Sequence, residues 1–153
     1  MHKEEILKQL RAAKAAHISW VQRAKLLISG FTINESSIPV NSTECQFGKW
    51  FYSDGQRLND IRNNPIEDMQ EIENLHFKLH DVYLHIYKVY YDVEKSGFLS
   101  KLFGKKKKVN EEEQALAKKY FDEMEAISKE LVNALNIMER RINVVSEEEI
   151  DSL

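Results

Sequence analysis

The chain contains few of the residues that interrupt helices or cross-link a fold. Its 153 residues include two prolines, five glycines and a single cysteine. Because proline and glycine are the residues least compatible with a helix interior, their scarcity allows long helices. A single cysteine excludes an intramolecular disulfide, so its thiol is expected to be a metal ligand, a reactive group or a core residue.

Long hydrophobic runs and a strong charge bias are also missing. The first ten residues, MHKEEILKQL, lack the apolar segment of a signal peptide, and no stretch of membrane-spanning length is free of charges. The formal net charge of −3 gives no bias toward nucleic acid or an anionic membrane surface. A basic run at 105–108 is predicted to be a solvated loop rather than a lipid-binding site. We therefore expect a cytoplasmic protein that binds neither nucleic acid nor a membrane.

What is present is a helical periodicity in a chain of globular composition, with 42% hydrophobic and 31% charged residues. A first long helix is predicted over residues 4–29, ahead of Gly30. A second is predicted to begin at the pair Asn64–Pro65, and a third at Asn110, where Glu113 completes a capping box. His17 lies on the apolar stripe of the first helix, and His76 on that of the second. On the third helix the expected buried residues are Leu116, Tyr120, Met124, Ile127, Leu131, Leu135, Met138 and Ile142.

The segment between the first two long helices is predicted to hold one or two short helices. Residues 30–43 are predicted to form a loop that ends at Thr43, which would act as the N-cap of a short helix, with Gln46 completing its capping box. Cys45 would then lie in the first turn, where the helix dipole favours a thiolate. The predicted fold is all-α, a helical bundle resembling a four-helix bundle, with three long helices and one or two short ones.

One cysteine and three histidines form a candidate metal-ligand set. Zinc prefers a tetrahedral arrangement of nitrogen and sulfur ligands. His76 and His80 are one helical turn apart, so both imidazoles can reach one ion. His17 adds a third nitrogen and Cys45 a thiolate. Each residue taken alone also fits a structural role, since buried histidines and cysteines commonly belong to a core.

Three motifs decide between these readings. HISW at 17–20, CQFGKWFYSDG at 45–55 and LHFKLH at 75–80 resemble the chemoreceptor zinc-binding (CZB) domain family, which carries H-x-x-W, C-x-x-G-x-W and H-x-x-x-H in this order. The resemblance implies a zinc site in a helical bundle that is usually a homodimer. It also implies control of a chemoreceptor or a diguanylate cyclase in response to zinc or oxidants. The ligands it implies are His17, Cys45, His76 and His80, with Cys45 the oxidant-sensitive one.

The resemblance also suggests a division of the chain. Residues 1–96 are predicted to form the CZB-like core, 97–109 a basic loop, 110–144 a C-terminal helix on the same bundle and 145–153 a frayed acidic tail. With no receptor hairpin or cyclase domain, the chain is expected to be a stand-alone member that acts through a partner.

Catalysis is not expected. A hydrolytic zinc site usually keeps one position open for water, whereas four protein ligands close it. The zincin motif requires glutamate after its first histidine, and this chain has Phe77 there. Glu73 and His76 fit the Glu-x-x-His motif of di-iron bundles, but no second copy follows. The alternatives left open are a metal-dependent helical-bundle enzyme and a structural helical dimer in which zinc is only a staple.

The remaining motif residues are given structural roles. Gly48 is expected to let the short helix pack closely against a long one. Trp20 and Trp50 are expected to wall off the metal. His85 is expected to point away from the site, and His2 to lie in a frayed terminus.

The last eight residues, SEEEIDSL, carry a second resemblance. They are similar to the S-x-x-E-I-D-x-L segment by which flagellar switch proteins capture a phosphorylated CheY-like response regulator. The resemblance implies a partner-binding tail whose contacts are Ile150, Asp151 and Leu153. The alternative is an acidic end that only aids solubility.

Overall fold

The computed structural model describes residues 1–31, 41–62, 66–91 and 108–153. The regular elements of these residues are helices, which confirms the all-α prediction. They are α1 (Lys3–Ile28), α2 (Gln46–Phe51), a 3₁₀ helix (Asp54–Asp60), α3 (Ile66–Tyr90), α4 (Glu111–Val144) and α5 (Glu147–Asp151). Most of the expected loop at 30–43, the expected Asn64–Pro65 cap and most of the basic loop at 97–109 lie outside the described residues.

Helix α1 ends at a glycine, as expected. Gly30 has a φ of +94°, a left-handed conformation that glycine adopts without steric cost. Its N–H donates to the carbonyl of Leu27, and the N–H of Phe31 donates to that of Leu26. This pair of bonds is a Schellman motif, which satisfies carbonyls left over at the helix end.

Helix α4 begins where the capping box predicts. The Asn110 side chain accepts a hydrogen bond from the N–H of Glu113, and the Glu113 carboxylate accepts one from the N–H of Asn110. Three glutamates in its first turn face the positive end of the helix dipole.

Helix α4 packs against both α1 and α3 and runs antiparallel to each. Lys14, in the middle of α1, bonds Glu139 late in α4, whereas Lys3 at the start of α1 reaches the carbonyl of Asn143. Likewise Asp68, near the start of α3, pairs with Arg141. Helices α1 and α3 therefore run in the same direction, and the segment that holds α2 connects one to the other.

The buried stripe of α4 differs from the expected one in its first half. Leu116 is 44% exposed, and Tyr120 and Ile127 are only partly buried. Apart from Ala134, the buried positions alternate by four and three, as in a coiled-coil seam, and Ala117 and Ser128 take the places expected for Leu116 and Ile127. The buried residues of this seam are Ala117, Phe121, Met124, Ser128, Leu131, Leu135, Met138 and Ile142.

The acidic C-terminus is not frayed, contrary to the sequence prediction. Ser146 caps α5 by accepting a hydrogen bond from the N–H of Glu149. Ile150 is fully buried, and Leu153 packs against the same core. Asp151 bonds Nδ1 of His2 at 2.9 Å, so the two chain ends meet. The burial of Ile150 explains why nine largely polar residues are ordered, and a partner that captured this side chain would first have to displace α5.

In the part of the chain that the structure describes, none of the helices combines the length and the apolar character needed to cross a membrane.

Candidate metal centre

Cys45 lies immediately before α2 and is itself the N-cap of that helix. Its Sγ accepts a hydrogen bond from the N–H of Gly48 at 3.2 Å. The predicted cap, Thr43, is instead part of a turn in which its N–H and hydroxyl both donate to the side-chain oxygen of Asn41. The helix begins at Gln46, so the cysteine sulfur caps it, two residues later than the sequence prediction.

His17 projects from α1 with its tautomer fixed. Its Nδ1 lies 2.7 Å from the carbonyl oxygen of Ala13, one turn earlier in the helix. A carbonyl can only accept, so Nδ1 carries the proton and Nε2 keeps its lone pair. That Nε2 atom is buried and has no hydrogen-bond partner among the described residues. A lone pair of this kind, buried without a donor, is what a metal ion requires.

His76 and His80 lie one turn apart on α3 and point to the same place. Their ring centroids are 4.6 Å apart, and the ring of His17 lies 4.9 Å from that of His76. Nε2 of His76 is 3.3 Å from Sγ of Cys45. The histidine pair of one long helix therefore meets the imidazole of another helix and the thiol of the connecting segment.

The four side chains form one closed cluster. One nitrogen from each histidine and the cysteine Sγ all lie within 4.8 Å of one another. In tetrahedral zinc sites the ligand atoms are about 3.3–3.6 Å apart, as the bond lengths imply, so small side-chain movements suffice. Each of the four is at most 5% exposed. The donor set, burial and spacing therefore fit a zinc ion.

Aromatic rings enclose the cluster, but only one tryptophan does so. Trp20 is buried, and its ring centroid lies 4.4 Å from that of His80. The opposite wall is Phe47, whose ring meets His76 edge to face at 5.0 Å. Trp50 is only partly buried and packs on Phe47 at 5.9 Å, so Phe47 rather than the expected Trp50 lies against the cluster. The sequence prediction missed Phe47, which lies at an unspecified position of the motif C-x-x-G-x-W, between Cys45 and Gly48.

Burial keeps the imidazoles neutral. Desolvation lowers the pKa of His17, and only its hydrogen bond to Ala13 opposes this. Desolvation, with the repulsion of a proton by His17 and His80, lowers the pKa of His76 to about 2. Neutral imidazoles are the form that binds a metal, so protons compete weakly at these two positions.

The thiol behaves differently from the sequence prediction. Burial raises the pKa of Cys45, and it outweighs the opposing effects of the N–H groups of Gly48 and Phe47 and the charge of Lys49. The position at the helix start therefore does not by itself favour a thiolate. Desolvation destabilises the charged sulfur more than the N–H groups of the short helix stabilise it. A cation beside this sulfur would offset that cost and favour its deprotonation.

Gly48 packs closely against the backbone of the turn before α2, not against a long helix. A Cβ on this residue would lie 1.8 Å from the carbonyl oxygen of Ser42, in the turn before α2. The sequence predicted close packing at Gly48 correctly but assigned it to the wrong neighbour.

The other polar residues considered in the sequence lie outside the cluster. His85 is half exposed and stacks on Tyr120 at 5.0 Å. Glu73 accepts a hydrogen bond from Tyr52, and burial together with this carboxylate raises the pKa of Tyr52. Glu73 thus ties the α2 segment to α3 and supplies no ligand atom to the cluster.

Comparison with known proteins shows a similarity to one family. Residues 17–87 match the family model of the chemoreceptor zinc-binding domain. Searches of the curated proteins and of the solved structures each gave no match. The matched span begins at the first histidine of the cluster and includes its other three residues. The similarity to the chemoreceptor zinc-binding domain therefore covers residues 17–87 of this chain and takes in all four residues of the cluster.

Proposed function

We propose that this chain is a cytoplasmic zinc-binding sensory module of chemotaxis or cyclic-di-GMP signalling, with His17, Cys45, His76 and His80 as ligands. The observation that carries the proposal is the convergence of these four buried ligand atoms within 4.8 Å inside the span that matches the family.

The donor set favours zinc over other metals. Three imidazoles and one thiolate suit this borderline-soft ion, whereas di-iron sites are built from carboxylates. Among the described residues no carboxylate belongs to the cluster. Four protein ligands fill a tetrahedral coordination sphere and leave no position for a reacting water. The proposal is therefore a regulatory site rather than a catalytic one.

Sensing follows from where the ligands come from. His17 belongs to α1, His76 and His80 belong to α3, and Cys45 belongs to the turn before α2. Zinc, when bound, joins these three elements through one centre. Without it, the connecting segment 41–62 keeps its hydrogen bonds and apolar contacts but loses this cross-link. The proposed output is the docking of that segment on the bundle, which a partner protein would read.

Cys45 is proposed as the oxidant-sensitive ligand. Oxidation of its sulfur removes the thiolate and so opens the coordination shell. The Sγ is almost fully buried, and its thiol pKa is raised, so the metal-free thiol should react slowly. Treatment of the zinc-loaded protein with hypochlorous acid is expected to release zinc, detected with a chromogenic chelator. Retention of zinc after Cys45 has been oxidised would contradict this role.

Partners are proposed from resemblance alone, the response regulator from that of the C-terminal segment and the others from the zinc-binding family. The proposal includes a homodimer and an effector such as a chemoreceptor, a diguanylate cyclase or a CheY-like response regulator. Sedimentation velocity of the zinc-loaded protein tests the dimer, and a monomer at micromolar concentration would remove that part of the proposal.

Hydrogen exchange tests whether zinc acts as a signal or only as a staple. We expect chelation to increase amide exchange in residues 41–62 while the middle of α4 stays protected. His85→Ala, which changes a half-exposed histidine outside the cluster, should leave this response intact. A response spread evenly over the whole bundle would mean that zinc holds the fold together, and no response would contradict the sensing role.

A further inference from the structure

Gly48 is connected to the sulfur of Cys45 in two ways. Its N–H donates to Sγ at 3.2 Å. Its missing side chain also leaves room for the backbone of the preceding turn, since a Cβ would lie 1.8 Å from the carbonyl oxygen of Ser42 and 2.9 Å from its carbonyl carbon. Any larger residue at this position must push the turn that carries Cys45 away from α2.

The displaced turn would itself move the sulfur. Ser42 is buried, and its carbonyl oxygen accepts a hydrogen bond from the Cys45 thiol at 3.3 Å. The sulfur therefore contacts three polar groups: the carbonyl oxygen of Ser42, the N–H of Gly48 and Nε2 of His76, the last at 3.3 Å. A thiolate only accepts hydrogen bonds, and the N–H groups of Gly48 and Phe47 are the donors that this turn directs at the sulfur, with that of Gly48 at 3.2 Å.

We propose that Gly48 is a positioning residue for the sulfur ligand: the absence of a side chain lets the turn seat Sγ against His76, and its N–H holds the thiolate there. The inference rests on the proposed zinc binding through Cys45. Groups that orient a ligand without touching the metal typically change metal affinity by about 10- to 100-fold when they are altered.

The test compares Gly48→Ala with Gly55→Ala. Gly55 is a second buried glycine in the same segment, and a Cβ there would lie 3.1 Å from the carbonyl oxygen of Trp50, away from the sulfur. The control therefore strains the segment without touching the seat of Cys45. Cobalt(II) is the probe, because a thiolate ligand gives a charge-transfer band that imidazole ligands do not.

We expect Gly48→Ala to weaken cobalt binding by about 10- to 100-fold and to shift or reduce the thiolate band, with helix content retained. Gly55→Ala should keep the band at its wild-type energy. A wild-type band and affinity in Gly48→Ala, or the same spectral change in both variants, would overturn the inference. If the wild-type protein binds cobalt without any thiolate band, the proposed ligand set itself fails and the inference with it.

A second measurement needs no variant, so it remains decisive even if Gly48→Ala does not fold. The wild-type protein is loaded with ¹¹³Cd and examined by proton–nitrogen NMR. A scalar coupling between the Gly48 amide proton and the metal, transmitted through the N–H···S bond, is expected. Clear thiolate–cadmium binding with no such coupling would overturn the proposal.

Discussion

The sulfur of Cys45 and the Nε2 of His76 lie 3.3 Å apart across 31 residues of sequence. One atom belongs to the turn before a six-residue helix and the other to the middle of a 25-residue helix. Both are buried, one as a thiol with a raised pKa and the other as a neutral imidazole.

Stability of the metal-free protein should fall as the pH drops below about 6.5. His17 and His76 have lowered pKa values in the folded state, whereas the unfolded chain retains the ordinary value of 6.5. Below that pH the unfolded chain binds protons that the folded chain refuses, so acid favours unfolding. His76 alone accounts for about 1.4 kcal/mol per pH unit in the range below 6.5.

Urea unfolding in a chelator between pH 7.5 and 5.5 measures this effect. His76→Gln should reduce the slope of stability against pH, while His85→Gln, on the exposed side of α3, should not. An equal slope in wild type and His76→Gln would show that His76 titrates normally.

Zinc binding at pH 7 should release about one proton per chain. The thiol of Cys45 is protonated in the metal-free protein because burial raises its pKa. His17 and His76 are already neutral in the metal-free protein, so zinc does not displace a proton from either imidazole. Calorimetric titrations in buffers of different ionisation enthalpy count the released protons. A value near zero would mean a preformed thiolate, and a value of two or more would mean charged imidazoles.

Trp20→Ala should destabilise the metal-free protein by about 3–5 kcal/mol. The indole is 1% exposed and packs on His80 and Tyr83 with ring centroids 4.4 and 4.5 Å away. Its loss leaves a cavity in the wall of the ligand cluster. Trp50→Ala, which removes a partly buried ring behind Phe47, is the matched control and should cost less in the same denaturant titration. Equal losses would contradict the assignment of Trp20 as the wall.

Ile150→Ala should destabilise the protein by about 2–5 kcal/mol, because a fully buried side chain is truncated. Val144, only six positions earlier and 81% exposed, supplies the control, and Val144→Ala should change stability by less than about 0.5 kcal/mol. Denaturant unfolding compares the two. Similar, small effects would mean that α5 does not dock in solution.

The sequence contained enough information for the long helices and for the choice of the four residues that meet in the buried cluster. Caps at Gly30 and Asn110 fix the end of α1 and the start of α4, because both act through bonds to residues within one turn. The four residues of the cluster could be selected together because their three motifs resemble those of the chemoreceptor zinc-binding family, and the structure brings the four side chains together. Their role as zinc ligands stays a prediction. The hydrogen bond from His17 to Ala13 was also within reach, since the carbonyl four residues back is always adjacent in a helix.

The features that the sequence did not predict are those for which two residues or two physical effects of similar size compete. Thr43 and Cys45 both precede α2 closely enough to be cap candidates, and in the structure the helix begins after Cys45. Large apolar residues suggested Leu116 and Ile127 for the buried face of α4, whereas the bundle selects smaller residues one position later. The acidic tail contains one side chain that is fully buried, Ile150, and the charged residues around it led to the prediction of a frayed end. The dipole of a six-residue helix suggested a thiolate, but the cost of burying charge is larger.

Metal content is the measurement that tests the central claim most directly. Mass spectrometry with inductively coupled plasma would compare wild type, Cys45→Ala, His80→Ala and the control His85→Ala, each purified under reducing conditions and then equilibrated with zinc. The account predicts about one zinc per chain in wild type and His85→Ala. It predicts a clear loss in the two ligand variants. A wild-type protein without zinc, or full occupancy in Cys45→Ala and His80→Ala, would contradict it.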